Sequence, residues 1–320
     1  MGVLDKKQKG YFEDPRKFAD LWNALVYEGE QVISWEGLQE CNAVLFHAEG
    51  DEPVEKVADC VMKQTEKGEV LSVMILENQK EINYGMAAQV YLREALAYDK
   101  QIREIQRRNK KRYEMLMGKG PVGAYLYYFT KEDRLRPVST LVLYWNDREW
   151  DGANSLREMI NFEGVEGLKE FVPEFHLHVY DMSKVKHLER FRTDLFTLIG
   201  LYQRRGNKEG FREFGRYCEE AGVEKQLDGM GLEVLGELVK SKRLIKLIKT
   251  KKGEELSMCK AIEDIFEEGR EEGREEGKEE GRKEEHKVTL RETARADAAE
   301  KELRKVMTWL QEKGISYAVD

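Results

Sequence analysis

Positions 71–76 form a largely apolar run that closes in Glu77-Asn78-Gln79. Apolar residues on both faces predict a strand covered by other layers rather than one lying on the surface. With period-two alternation, Val73, Ile75, Glu77 and Gln79 share one face, so a carboxylate and an amide project together from the strand end. Upstream, Val57, Asp59 and Val61 share a face in the same way, and Lys67-Gly68 between the two segments signals a turn. The pattern predicts a hairpin that brings the Asp59 and Glu77 carboxylates to about 4 to 6 Å, the range in which neighbouring charges perturb each other and can share a divalent cation.

Helical periodicity brackets this hairpin. Asp14-Pro15 is a helix start, a capping side chain followed by a residue whose missing N–H costs nothing in the first turn. Phe18, Leu21, Trp22, Leu25 and Val26 continue it as an apolar stripe, with Asp20 nearly opposite Phe18 on the solvated side. After Gln79, the span 83–117 predicts a long helix with Met86, Val90 and Ala97 turned to the sheet and a drifting stripe of Tyr84, Tyr91 and Tyr98, suited to core packing. It ends in Arg103, Arg107, Arg108, Lys110, Lys111 and Arg112, either a solvated face or a set of sequence-independent, salt-sensitive phosphate contacts. Two further β-rich runs, 138–145 and 175–180, extend the sheet, and 185–204 returns to helical spacing. His176 and His178 share a strand face, but without a third ligand of recognisable spacing they read as structural.

Beyond Gly206 the chain is helical, with Leu232, Leu235, Leu238 and Val239 on one face. The segment KSKRLIKLIKTKK at 240–252 is basic and amphipathic, fit for phosphate, a partner or a membrane surface. Its lack of Trp or Phe anchors makes the membrane the least favoured. EEGREEGREEGKEEGRKEE then repeats every four residues. Glu-to-basic pairs at i,i+3 support a helix there, like charges at i,i+4 and a Gly cost of about 1 kcal/mol each oppose it, and no apolar seam exists. The repeat reads as a solvated helical spacer. Ala299, Leu303, Val306 and Leu310 resume heptad-like spacing, adequate for docking or for a homo-oligomer through the C-terminal helix.

With 41% hydrophobic and 36% charged residues in 320, a globular body joined to something highly solvated is expected. The net charge of −8 argues against uniform coating of nucleic acid, yet acidic residues concentrated in one segment leave room for local basic patches. Cys41, Cys60, Cys218 and Cys259 have neither metal-type nor disulfide-framework spacing and read as free thiols. No signal-peptide apolar region and no membrane-length apolar run is found, so a cytoplasmic location is expected.

An Asp, then Glu-x-Lys on the neighbouring strand, is the active-site pattern of the PD-(D/E)XK nuclease superfamily, present here as Asp59 and Glu77-Asn78-Gln79 with Gln in the Lys position. Three more segments, FEDPRKFADLWNALVYEGEQVI, ENQKEINYGMAA and PVSTLVLYWNDREWDG, complete a resemblance over roughly 10–204 to the recombination-promoting nuclease and transposase family, a bacterial branch in which Glu-x-Gln is common. The resemblance implies an α/β fold with a restriction-endonuclease-like core, a mixed sheet flanked by helices, over 10–205. A helical appendage at 206–260 and a charged helical tail at 261–320 follow.

It further implies DNA cleavage dependent on Mg2+ or another divalent cation. Asp59 and Glu77 would hold the metal with help from the Asn78 carbonyl, and Gln79 would orient the attacking water without the positive charge of a Lys. Asp20, on an early helix, is a further candidate to approach the metal, and the basic helix end is the candidate DNA surface. Two departures stand out: Asn42 where an acidic residue is expected, and Gln89 where a basic one is. They support the alternative of a nuclease-fold DNA-binding or interaction protein with weakened cleavage. A self-assembling protein built on the tail is the third possibility, and the apolar-free repeat counts against it.

Overall fold

The computed structural model describes residues 3–41, 58–117, 128–220, 226–241, 245–246 and 258–313. Asn42, Val57 and most of the basic segment at 240–252 lie outside the described residues. The chain forms two compact units, Met1–Glu263 and Asp264–Asp320.

The first unit is built on a five-stranded mixed sheet whose spatial order repeats the chain order: β1 (Leu38–Glu40), β2 (Cys60–Glu66), β3 (Glu69–Gln79), β4 (Val138–Tyr144) and β5 (His178–Asp181). The first three strands pair antiparallel, and β3–β4 and β4–β5 pair parallel. Lys67 and Gly68, both left-handed at φ 50 and 84°, make the two-residue β2–β3 turn, whose twist matches that of the strands it joins. In this register Cys60 faces Leu76, so Asp59, one residue earlier, comes opposite Glu77.

α3 (Met86–Met117) makes the parallel crossover from β3 to β4 and lies along one sheet face. Two apolar clusters seat it. Ala97 packs with Val61, Val73, Ile75 and Val138, while Met86, Ala87 and Val90 pack with Val142 and Leu177. Between them, on the same faces of the same elements, come Glu77, Thr140, Arg93 and Glu94, all buried. A polar band therefore crosses the sheet–helix core.

The other face is covered by α1 (Val3–Phe12), α2 (Pro15–Leu25) and α4 (Leu195–Gln203), with Cys60 Sγ donating to the Phe12 carbonyl at 3.5 Å and Trp145 packed edge-on against Tyr202. Asp14 caps α2 as its sequence predicts, accepting from the Arg16 N–H at 2.9 Å, with Pro15 in the first turn. The helix predicted over 185–204 starts only at Leu195. His187 is left-handed at φ 58°, and the Arg192 and Thr193 N–H groups are bound to Asp20 instead of to a preceding turn. Likewise β5 begins at His178 rather than 175, and His176 makes only an isolated bridge with Ser155.

α5 (Lys208–Glu220) and α6 (Gly229–Leu238) belong to the same unit: α6 packs on α1 and α4, and α5 on α4. At the α4–α5 contact a Cβ on Gly200 would stand 2.2 Å from the Phe214 ring, so the helices approach this closely only because position 200 is Gly. α7 (Met258–Glu312) runs through the four-residue repeat as one helix and carries the second unit. Among the described residues no helix is long and apolar enough to cross a membrane.

Candidate active site

The hairpin places Asp59 and Glu77 at the same end of β2 and β3. Asp59 Oδ2 accepts the Asn78 backbone N–H at 2.7 Å, which ties the end of β2 to the site strand. Asn78 points to the other face, where its Oδ1 accepts from Trp145 Nε1 at 3.2 Å. Gln79, half-buried, ends β3 on the Glu77 side, and its carbonyl accepts the Trp145 N–H at 2.8 Å.

Glu77 is 4% exposed, and Arg93 of α3, 6% exposed, donates Nη1–H to its Oε1. Burial pushes the Glu77 carboxyl up to about 8; the Arg93 guanidinium draws it down and the Asp59 charge raises it again. Asp59 is raised as well, chiefly by burial, against the Asn78 N–H that stabilises its ionised form. A third carboxylate acts here: the charge of Asp5 on α1 raises Asp59 further.

Arg93 and Asp5 carry no motif. Arg93 lies one helical turn beyond Gln89, so the positive charge absent at positions 79 and 89 enters from the next turn of the same helix face. Gln89 itself is engaged locally, accepting from Asn83 Nδ2 at 3.2 Å.

Asp20 is not gathered into this constellation. It is buried, which corrects its expected solvated position, and it accepts from the Arg192 N–H at 2.9 Å and from the Thr193 N–H and hydroxyl at 2.8 and 2.6 Å. Its two oxygens thus order the turn that leads into α4. In the basic cluster Arg103 pairs with Asp99 at 2.8 Å and Arg108 with Asp133 at 3.4 Å, while Arg107, Lys110, Lys111 and Arg112 are exposed. His176 and His178 are both exposed, and among the described residues no group of three or more His, Cys, Asp or Glu side chains could hold a metal ion.

A small divalent cation that keeps several waters needs only one or two protein carboxylates together with substrate oxygens. Asp59 and Glu77 meet that requirement. Their raised proton affinities come from burial first and then from a neighbouring carboxylate, Asp59 acting on Glu77 and Asp5 on Asp59, and a bound cation would oppose both. Arg93 Nε, a buried N–H without a hydrogen-bond partner among the described residues, stands behind Glu77 as a donor and not as a cation ligand. The donor set fits Mg2+. Compared with protein-family models, curated proteins and solved structures, the chain matches none.

Proposed function

We propose that the chain is a divalent-cation-dependent DNA endonuclease on a restriction-endonuclease-like core, associated with recombination or mobile DNA. The observation that carries this is the placement of Asp59 and Glu77 at one hairpin end, where Asp59 accepts the Asn78 N–H and Arg93 of the crossover helix pairs with Glu77. The resemblance of 10–204 to recombination-promoting nucleases supports the same chemistry.

Asp59 and Glu77 would hold the cation together with the Asn78 carbonyl. When bound, it would polarise a phosphoryl oxygen of the scissile linkage. Gln79, on the Glu77 face, orients the attacking water through its amide, and Arg93 supplies the positive charge that Gln79 lacks. DNA is held by the exposed basic residues of α3.

A plasmid-nicking assay with and without Mg2+ tests this. Asp59→Ala and Glu77→Ala should each lower Mg2+-dependent nicking at least about a hundredfold, with DNA affinity retained, because ligation and phosphate positioning rest on different residues. The alternative is a DNA-binding protein of the same fold without cleavage, favoured by the occupation of Glu77 by Arg93. Retained binding with no nicking by the wild-type chain at any Mg2+ concentration would decide for it.

A further inference from the structure

Glu77 and Arg93 are each more than nine-tenths buried and form a hydrogen-bonded ion pair inside the polar band between α3 and the sheet. Only part of the guanidinium is used: its Nε is buried and donates to nothing among the described residues. A buried guanidinium is stable when its donors are paired, so a purely structural pair is poorly served by this arrangement.

The charge count points the same way. Two carboxylates, Asp59 and Glu77, share the strand end with the guanidinium of Arg93, which donates to Glu77 while Asp59 accepts the Asn78 N–H. A divalent cation on these oxygens would place a second positive centre beside the buried guanidinium, where like charges interact more strongly than in bulk water. Glu77 has a single carboxylate to offer to both.

We propose that Arg93 is an internal counter-cation: it holds Glu77 while the site is empty and competes with the divalent cation for that carboxylate. Affinity for the cation is then set by the work of separating Arg93 from Glu77, and the empty site keeps its shape because the buried carboxylate is never left unpaired. This rests on Asp59 and Glu77 being the cation ligands. Arg93 is here a positioning residue.

Calorimetric titration of the full-length chain with Mg2+, without DNA, tests the competition in the wild type, Arg93→Gln and Arg93→Lys. Arg93→Gln should unfold at a lower temperature without Mg2+, because Glu77 loses its counter-charge, yet bind Mg2+ at least about tenfold more tightly, the usual scale of coupling between two ligands of one site. Arg93→Lys, a point charge without the guanidinium fork, should fall between the two. Equal or weaker Mg2+ binding by Arg93→Gln overturns the competition while leaving the ligand assignment standing. If the wild type and both variants all fail to bind Mg2+, the ligand assignment fails and the competition with it. Should Arg93→Gln not fold, Arg93→Lys decides alone: binding no tighter than wild type overturns the proposal.

Discussion

Glu94 follows Arg93 in the polar band and faces Thr140 of β4; burial pushes its carboxyl up to about 7, while its interactions with Thr140 draw it back. The folded protein therefore holds this proton more tightly than the unfolded chain does, so the contribution to stability is full below the ordinary Glu value and is lost as pH rises through 7. Glu77, raised for the same reason, acts in the same direction. Between pH 5 and 8, Glu94→Gln should remove about 2 to 3 kcal/mol of the pH-dependent fall in unfolding free energy measured by urea titration. An unchanged slope would mean that Glu94 titrates as an ordinary carboxylate. Asp59 and Glu77 were legible in sequence because strand alternation and a Lys-Gly turn are local. Arg93 and Glu94 were not, although the sheet-facing stripe of Met86, Val90 and Ala97 was: charged residues between apolar anchors read as solvated until the facing strands supply Glu77 and Thr140 as partners. Asp20 misled for a related reason: spacing placed it opposite Phe18, but the partners that bury it come from residues 192 and 193.

Among the elements, α3 divides into a seated half and a projecting half. Its last buried apolar anchor in the sheet interface is Ala97, after which the half-buried Tyr98 accepts the Val138 N–H at 3.1 Å and Gln101 accepts the Arg136 N–H at 2.8 Å. Further on, Asn109 donates to Asp133 Oδ2 at 2.9 Å. Arg107 to Arg112 lie roughly 20 to 30 Å beyond Arg93 along the helix axis. A duplex bound by both ends of α3 would run along the helix for about six to eight base pairs at 3.4 Å each. Changing Arg107, Arg108 and Lys111 to Ala should flatten the slope of log affinity against log salt by about 0.9 for each phosphate no longer neutralised, equally for all sequences. An unchanged slope would identify a solvated face. Long helices and the β2–β3 hairpin were readable because their patterns span many residues. The late start of α4 was not, because a side chain from α2 takes its N–H groups.

At the scale of the whole molecule, the second unit is a helix whose Leu303, Val306 and Trp309 are all more than half exposed. Leu303 and Val306 fall on the heptad-like stripe, so replacing both with Glu should dissociate a homo-oligomer formed through α7, as read by sedimentation equilibrium, without changing Mg2+ affinity, because the cation ligands lie in Met1–Glu263. A wild-type chain that sediments as a monomer would dispose of the oligomer. The sheet of the first unit also sets an order of events in folding. Its strands lie side by side in chain order, and the contacts that assemble the site are short in sequence: nineteen residues from Asp59 to Asn78 and sixteen from Glu77 to Arg93. Low sequence separation makes loop closure cheap and fast, so the hairpin and the first turns of α3 can come together before β4 and β5 complete the sheet. The carboxylates would then be juxtaposed early, and the last strands would close over a site already formed.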